Sequence, residues 1–408
     1  MMKFTTFLET FSLEKNRLFE NKETIVDNVV LNGINIKRYT NEFWTSKQRQ
    51  ANSIHEISYR ACYKPQLPKF FIEKFSVKGD IIYDPFLGRG TTIIEAAINQ
   101  RNVIGNDINP LSNILCEPRI NIPKLKEISK FLENFNFTYN QESDIDLSMF
   151  FHPKTLDEIL SLKKYFIGKK KDRELTNVEK WVKMVLTNRL TGHSNGFLSV
   201  YTLPPNQAVT QDRQIKINIK RNQSPKYKPV VERILKKSKS LLKDIDKNTL
   251  DRIKGVKYKI LNSDARHTKE IESNTVNLTI TSPPFLDVIQ YAKDNWLRCW
   301  VNDIDAINIE KKITTPKKIE EWTAIMKDVL QELFRITKPG GHVVFEVGEV
   351  KNGKIKLDEC IAPLGLDVGF ECLGIVINSQ VFTKTSSIWG VNNNLKGTNS
   401  NRIVIFKK

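Results

Sequence analysis

The stretch Thr281-Ser282-Pro283-Pro284-Phe285 follows an apolar run, Val276 to Ile280, that predicts a buried strand of a parallel sheet. Two prolines cannot continue that strand, because each lacks an amide donor and has a fixed φ. The chain must therefore leave the sheet at its carboxyl edge, where open α/β sheets bind ligands. There the stretch presents the Ser282 hydroxyl, backbone carbonyls and the Phe285 ring, which can bind an amino group and stack on a base. The simpler interpretation is a proline turn that only closes a strand.

A second stretch, Asp84-Pro85-Phe86-Leu87-Gly88-Arg89-Gly90-Thr91-Thr92, predicts a ligand-binding loop. It follows a predicted strand, Ile81 to Tyr83, and precedes a predicted helix, Thr91 to Gln100. Strand, glycine-rich loop and helix form the first turn of a doubly wound fold, where glycines let the backbone approach a ligand. The next predicted strand, Val103 to Gly105, is followed by Asp107, close to the offset of about 20 residues at which an acid binds ribose hydroxyls.

Further apolar runs complete an α/β sheet. The predicted strands are Tyr258 to Leu261, with Asp264 just past its end, and Val343 to Phe345, preceded by a tight turn at Lys338 to Gly341. Residues 372–378 and 402–406 predict a terminal antiparallel hairpin around a long polar loop, 383–400. Residues 286–300 predict a helix.

The interval 121–254 predicts an inserted domain, because a crossover in this kind of sheet needs only a dozen or so residues. Helical patterns occur at 155–166, 177–190 and 229–245, the first with a capping box of Thr155 and Glu158. The catalytic domain would then consist of residues 55–120 and 255–408. Residues 1–54 predict an N-terminal arm with a short helix.

The charge balance predicts a polyanionic partner. The 408 residues include 64 Lys and Arg against 46 Asp and Glu, a formal net charge of +18, and such cations supply most non-specific affinity for nucleic acid. Genomic drift towards lysine is the alternative source of this charge, and a solvated helix face explains any single lysine. The residues that we predict to contact DNA lie in the insert and are Lys163, Lys164, Arg213, Lys216, Lys220 and Arg221.

The five cysteines are scattered, with no CxxC pair, which predicts neither a disulfide framework nor a metal site and is typical of a reducing cytosol. Residues 1–8 lack the apolar core of a signal peptide, and no apolar run reaches the roughly 18 residues of a membrane span. We therefore expect a cytoplasmic, nucleoid-associated protein without membrane contact.

These motifs together resemble those of the S-adenosylmethionine-dependent DNA amino-methyltransferases, the cytosine-N4 and adenine-N6 type of restriction–modification systems. The resemblance rests on residues 84–92, on 281–285, on Leu67 to Ile72 before the cofactor loop, and on Pro339 to Gly341 before the fifth strand. It covers residues 55–120 and 255–408 and implies a class I, Rossmann-like methyltransferase sheet. Two features depart from the family. Arg89 stands where serine is common, and the cofactor loop precedes the catalytic motif, an order permuted relative to many serine-type relatives.

The resemblance also implies the site. Ser282, Pro283, Pro284 and Phe285 would act on a base flipped out of double-stranded DNA, with Asp107 on the cofactor's ribose and Asp264 on its adenine amine. The S-adenosylmethionine site would comprise Asp84, Pro85, Phe86, Gly88, Gly90, Thr91, Thr92, Asp107, Asp264 and Thr281. No metal is implied, and a separate restriction endonuclease is an open partner.

The motifs do not by themselves decide which base is methylated or whether the substrate is DNA or RNA. The serine form of the motif is associated mostly with cytosine N4, and the Asp or Asn form mostly with adenine N6, so Ser282 favours cytosine. Ring-carbon methylation needs a Pro-Cys dipeptide, which this sequence lacks. An adenine-N6 enzyme, an RNA amino-methyltransferase and a binding subunit without turnover remain open alternatives.

Overall fold

The computed structural model describes residues 4–12, 23–45, 51–60, 62–202, 208–284, 291–313, 316, 318–350, 354–379 and 400–408. Besides parts of the arm 1–54 and of the insert 121–254, three predicted features fall wholly or partly outside these residues. They are Phe285, the first part of the helix from 286, and nearly all of the loop 383–400.

A mixed sheet forms the centre of the protein. The strands are β1 (Ile25–Leu31), β2 (Ile34–Asn41), β3 (Ile81–Asp84), β4 (Asn102–Asn106), β5 (Tyr258–Leu261), β6 (Val276–Thr281), β7 (Thr337–Val347), β8 (Glu349–Val350), β9 (Ile355–Lys356), β10 (Glu371–Ser379) and β11 (Ser400–Lys407). Within the described residues, nine strands pair in the order β1-β2-β10-β11-β7-β6-β3-β4-β5, and β8 pairs with β9 separately.

Helices cover both faces of this sheet and fill the insert. They are α1 (Phe4–Glu9), α2 (Gln66–Phe75), α3 (Thr91–Ile98), α4 (Leu111–Cys116), α5 (Leu125–Glu133), α6 (Pro153–Asp172), α7 (Asn177–Arg189), α8 (Gln211–Lys220), α9 (Val230–Leu241), α10 (Lys247–Lys254), α11 (Tyr291–Val301), α12 (Ala306–Lys312), α13 (Ile319–Ile336) and α14 (Leu357–Val368).

The strand order reverses next to β3, which places a ligand-binding crevice there. β4 and β5 continue parallel on one side of β3, and β6 and β7 on the other. β11 runs antiparallel to both β7 and β10. Ligands of open α/β sheets bind at the carboxyl edge of such a reversal. The predicted class I, Rossmann-like α/β sheet is confirmed.

Two local predictions differ from the structure. The turn predicted at Lys338 to Gly341 lies inside β7, where the pairing with β6 shifts register between Val276 and Leu278. Gly340 has φ of +79°, a backbone conformation that favours glycine and that lets the strand continue through the register shift. The predicted capping box at Thr155 is also wrong. Helix α6 begins two residues earlier, and the His152 ring accepts from the Lys154 amide instead.

The N-terminal arm contains a hairpin that sequence analysis missed. β1 and β2 are joined at Asn32 and Gly33, whose φ values of +49° and +79° fit a two-residue turn of the primed type. β2 then pairs in parallel with β10 and extends the sheet. Of the described residues 4–12 and 23–45, those of α1 agree with the short helix predicted for this arm.

The insert shares its core with the catalytic part. The interval 121–254 is largely helical, as predicted, and comprises α5 to α10. Its buried Trp181 and Ile234 lie in the same apolar cluster as Ile94, Leu115 and Leu278 near the sheet. Because this core is continuous, the insert is held firmly against the sheet.

The cysteines are free thiols, namely Cys62, Cys116, Cys299, Cys360 and Cys372. Within the described ranges, no group of His, Cys, Asp and Glu side chains is arranged to hold a metal ion. Among the helices described, none combines the length and apolar composition that a bilayer crossing requires.

Candidate active site

β6 delivers the Ser-Pro-Pro turn to the carboxyl edge of the sheet. Every residue of β6 is buried, and the chain emerges at Ser282, which is partly exposed. The Pro284 carbonyl accepts a hydrogen bond of 3.0 Å from the indole Nε1 of Trp322 on α13. The turn is therefore fixed by the two proline rings and by a side chain on a neighbouring helix.

The same turn is tied to the glycine-rich loop. Thr281 Oγ1 donates to Asp84 Oδ1 at 2.8 Å, and the Phe86 amide donates to the same oxygen at 3.2 Å. Tyr63 donates from its hydroxyl to Asp84 Oδ2 at 3.3 Å. Burial raises the pKa of the Asp84 carboxyl to about 6. Asp84 thus joins the ends of β3 and β6.

Thr92, at the start of α3, adds a second connection. Its hydroxyl donates to the Ile280 carbonyl at 3.1 Å and also contacts the Tyr63 hydroxyl. The side chain is fully buried. The loop between β3 and α3 is therefore held to β6 from both sides.

The glycines shape the loop around Asp107. Gly88, with φ of +50°, donates its amide to Asp107 Oδ2 at 2.8 Å, and the Asn109 amide donates to Oδ1 at 2.9 Å. A Cβ on Gly90 would lie 2.4 Å from the Cys116 sulfur, so only glycine fits there. Burial raises the pKa of Asp107. Each carboxylate oxygen keeps a further lone pair for a ligand hydroxyl.

A cleft that is open to solvent lies against this loop. Five of the predicted cofactor residues line it, together with Pro284, which is predicted to be catalytic. Those five are Pro85, Phe86, Gly88, Asp107 and Asp264. Ile108, Ile325, Met326 and Val329 supply apolar walls.

The remaining predicted cofactor residues lie behind the cleft. Asp84, Gly90, Thr91, Thr92 and Thr281 are buried and do not line it. Their contacts are with one another and with the adjacent loops. Ligand contact by these five stays a prediction.

Asp264 lies in the cleft wall but shares its carboxylate with a neighbour. The Arg266 guanidinium donates to both oxygens, with Nη2 at 2.6 Å from Oδ2. These hydrogen bonds lower the pKa of Asp264. The carboxylate is therefore charged, and Arg266 lines the cleft beside it.

Arg89 faces neither the cleft nor solvent. It is buried, and its guanidinium donates to the Ile57 carbonyl at 2.9 Å and to the Tyr63 carbonyl at 3.4 Å. The Arg119 guanidinium in turn contacts the Arg89 carbonyl. Arg89 thus attaches the segment before α2 to the loop.

Glu346 is a site residue that sequence analysis missed. Thr281 pairs with Phe345 across β6 and β7, which places Glu346 beside Ser282. The Glu346 carboxyl is buried and accepts hydrogen bonds from Ser282 and, at 3.0 Å, from Asn401 Nδ2. Burial raises its pKa to about 7. A charged residue inside the apolar run 343–347 was the signal that could have found it.

The predicted DNA contacts of α6 differ from each other in the structure. Lys163 Nζ lies 4.0 Å from the centre of the Trp300 ring and 3.7 Å from Asp144 Oδ1, and burial lowers its pKa. Trp300 Nε1 also donates to Asp144 at 2.7 Å. Lys163 therefore packs inside the protein, whereas Lys164 is exposed.

The other predicted DNA contacts lie on or next to α8. Arg213, Lys216 and Lys220 are exposed along the helix. Arg221, also exposed, places its guanidinium 3.8 Å from the centre of the Tyr201 ring. These four cations share one surface, and their contact with DNA stays a prediction.

Fold and site together define a class I methyltransferase architecture, with an open cleft and a Ser-Pro-Pro turn on one edge of the sheet. Residues 3–112 match the N6_N4_Mtase family, described as DNA methylase. This match confirms, for that part of the chain, the resemblance to DNA amino-methyltransferases. It includes the glycine-rich loop and Asp107 but ends well before Ser282.

Curated relatives agree with the family match over limited lengths. The chain is 38% identical over 128 residues to the type II methyltransferase M.BsoBI of Geobacillus stearothermophilus, a segment covering 25% of each chain. It is 32% identical over 127 residues to the type II methyltransferase M.MjaII of Methanocaldococcus jannaschii, covering 30% of this chain and 23% of that protein. The aligned part thus spans about a quarter of these relatives.

A solved structure also matches over part of the chain. It is TTHA0409, a putative DNA modification methylase from Thermus thermophilus, in complex with S-adenosyl-L-methionine. Sequence identity is 22% and the TM-score is 0.24, with 36% of this chain and 53% of that chain covered.

Proposed function

We propose that this protein transfers a methyl group from S-adenosylmethionine to the exocyclic N4 amine of cytosine in duplex DNA. One observation carries the proposal. The hydrogen bond between Thr281 and Asp84 joins the Ser-Pro-Pro turn to the loop that lines the cleft, and Pro284 itself lines that cleft. A cofactor in the cleft and an amine at Ser282 would therefore meet at one edge of the sheet.

The residues present fit S-adenosylmethionine. Asp107 retains lone pairs for two ribose hydroxyls, and Ile108, Met326 and Val329 offer an apolar surface for a purine ring. The Gly88 backbone approaches the cleft without a side chain. Bound S-adenosylmethionine supplies a methyl group on a sulfonium, a carbon that an amine nitrogen can attack directly.

The protein's contribution is to orient the amine. An aromatic amine is a weak nucleophile because its lone pair is delocalised into the ring. Ser282 Oγ and the Pro283 carbonyl are acceptors for its two hydrogens, and this hydrogen bonding localises electron density on the nitrogen. Trp322 and the two proline rings hold these acceptors in place before substrate arrives, which is the positioning that accelerates a two-centre reaction.

Glu346 acts on the amine through Ser282. Its carboxyl shares a hydrogen bond with Ser282, so its protonation state sets which way the Ser282 hydroxyl hydrogen points. When Glu346 is ionised, it accepts that hydrogen and leaves the Ser282 oxygen lone pairs free for the amine. The pH dependence of turnover should therefore report on Glu346.

The base must leave the duplex to reach this edge, at a cost of a few kcal/mol. Phe285, which follows the turn, would stack on the flipped base. The insert, with its exposed cations on α8, would hold the surrounding duplex. These assignments rest on the serine motif and on the position of the insert.

The test is to incubate the protein with labelled S-adenosylmethionine and mixed-sequence duplex DNA, then to digest the DNA and analyse nucleosides by mass spectrometry. We expect N4-methylcytosine. N6-methyladenine would overturn the choice of base and keep the enzyme class. Methylation of transcripts in preference to duplex DNA would overturn the substrate. Cofactor binding without any methylated product would favour a subunit that lacks turnover.

A further inference from the structure

Helix α8 presents two parallel stripes to solvent. Ile215 and Ile219 are 42% and 75% exposed and lie one turn apart, about 40° from each other around the axis. Arg213, Lys216 and Lys220 occupy the adjoining part of the exposed face. The two isoleucines thus form a short apolar stripe beside a cationic stripe on the solvent-facing side of α8.

The buried face of α8 fixes the rotation of the helix. Gln214 Nε2 donates to the Tyr201 carbonyl at 3.0 Å, and Asn218 Nδ2 donates to the Met149 carbonyl at 2.8 Å. Asn218 Oδ1 accepts from both Gln214 and Gln223. These directional amide bonds, together with Ile217 packed against the apolar core, fix the rotation of α8 and keep Ile215 and Ile219 on its solvent side.

The start of α8 lies beside the helix that follows the catalytic turn. The Ala208 amide donates to the Asp294 carbonyl at 3.1 Å, and Trp296 Nε1 donates to the Val209 carbonyl at 3.2 Å. Asp294 and Trp296 belong to α11, the helix next in the described chain after Pro284. The start of α8 is therefore linked to the catalytic turn through the helix that follows that turn in the chain.

The charge of α8 selects nucleic acid over other partners. Residues 211–221 contain four cations and one carboxylate, Asp212, a balance of +3. Among the described residues, no carboxylate lies within ion-pair distance of Arg213, Lys216 or Lys220. An apolar stripe beside uncompensated cations suits a groove, which offers apolar base edges between two rows of phosphates.

We propose that α8 is a recognition helix that enters the major groove of duplex DNA and reads sequence through Ile215 and Ile219. The two isoleucines contact thymine methyl groups or other apolar base edges, while Arg213, Lys216 and Lys220 contact phosphates. This division separates specificity from affinity within one helix. It rests on the proposed function, because the duplex must present its target base at Ser282.

The experiment selects duplexes from a pool of randomised sequence by binding to the full-length protein, and needs no methyl transfer. Wild type should enrich a motif that contains a thymine-bearing pair. The double variant Ile215→Ala/Ile219→Ala should lose preference at one or two positions, by about 5- to 100-fold each, and still bind the pool. Lys216→Ala/Lys220→Ala should enrich the same motif with weaker binding and a salt slope lower by about 2.

Two matched variants serve as controls. Val77→Ala removes an equally exposed apolar side chain, 69% exposed, before β3, and Lys126→Ala removes an exposed lysine of α5. Neither should change the motif or the salt slope. Thermal melts check that all variants fold, which is expected because the altered side chains face solvent.

The outcomes separate the two proposals. If wild type enriches a motif and methylates DNA but the double isoleucine variant enriches the same motif, recognition by α8 is overturned and the proposed function stands. If wild type enriches no motif, the inference falls, whatever the methylation assay gives. A double isoleucine variant that keeps the motif but no longer binds a partner protein or a lipid vesicle would assign the stripe to that partner.

Discussion

Thr281 Oγ1 lies 2.8 Å from Asp84 Oδ1, and this hydrogen bond connects residues 197 positions apart in the chain. One belongs to the strand that delivers the Ser-Pro-Pro turn, the other to the strand that delivers the glycine-rich loop. Both side chains are buried. This bond and the one from Thr92 to the Ile280 carbonyl therefore fix the relative position of the two loops.

The first prediction tests this connection. Thr281→Val keeps the shape of the side chain but removes the donor to a buried carboxylate, which should lower the free energy of unfolding by about 1–3 kcal/mol. Urea unfolding measures the loss. Thr323→Val is the matched control, because the Thr323 hydroxyl bonds at an exposed site, and its effect should stay within about 0.5 kcal/mol. Equal effects of the two changes would contradict the predicted role.

The second prediction concerns the cofactor. Asp107→Ala removes the acceptor for two ribose hydroxyls and should weaken S-adenosylmethionine binding by about 1–3 kcal/mol, as measured by calorimetric titration. The exposed acid Asp251 on α10 provides the control, and Asp251→Ala should bind normally. Unchanged affinity of Asp107→Ala would remove Asp107 from the ribose site.

The strands and the two motif loops were predictable from sequence because each depends on local patterns. Apolar runs predicted β3 to β6, and paired prolines or glycines predicted where the chain leaves them. The charge of Glu346 inside an apolar run was a local signal, but its position beside Ser282 arises from the register between β6 and β7, which local patterns do not specify. The hairpin of β1 and β2 carried a local signal in Asn32 and Gly33, but its strands lack the strict alternation of a half-buried sheet.

Local sequence patterns also could not distinguish neighbouring lysines from each other. Sequence treated Lys163 and Lys164 alike, yet one packs on Trp300 and the other faces solvent. The difference depends on which face of α6 meets α11, a tertiary contact that helical periodicity alone does not specify. Arg89 was likewise ambiguous until its carbonyl partners were known.

The third prediction uses this pair of lysines. Lys163→Ala should lower stability by about 0.5–2 kcal/mol, the range of a partly buried cation–π contact, and leave the salt slope of DNA binding nearly unchanged. Lys164→Ala should have no effect on stability. If DNA contact includes Lys164, its replacement should lower the salt slope by about 1. A salt slope lowered by the Lys163 change would contradict the structural role.

The fourth prediction concerns pH. Glu346 has a folded pKa of about 7, above the value of about 4.3 for an exposed glutamate, so the folded state binds the proton more tightly. Stability should fall as pH rises through this window, because the unfolded state releases its proton first. Asp84, with a pKa of about 6, contributes in the same direction.

Glu346→Gln removes this dependence and should stabilise the protein relative to wild type at pH 8, but little at pH 4.5. Denaturant titrations at the two pH values measure the difference. The exposed Glu272→Gln serves as control. The same variant should flatten the pH–rate profile near neutrality. A pH dependence of stability and turnover identical to wild type would contradict the assignment of Glu346.

The last prediction concerns the chemistry. Ser282→Ala keeps the turn, since both prolines and the Trp322 hydrogen bond remain, but it deletes one acceptor for the amine. Turnover should fall with little change in DNA binding, because that contact strengthens as the amine attacks. Phe285→Ala keeps both acceptors and removes a stacking surface worth about 1–3 kcal/mol per base.

Ser282→Ala should therefore impair methyl transfer, whereas Phe285→Ala should also impair binding of the flipped base. With 2-aminopurine at the target position, Ser282→Ala should give the normal fluorescence gain as the base flips, and Phe285→Ala a smaller one. Single-turnover methyl transfer then separates the chemical step from flipping. If Ser282→Ala methylates as fast as wild type, the serine hydroxyl takes no part in holding the amine. The Pro283 carbonyl would then be left as the acceptor at this edge of the sheet.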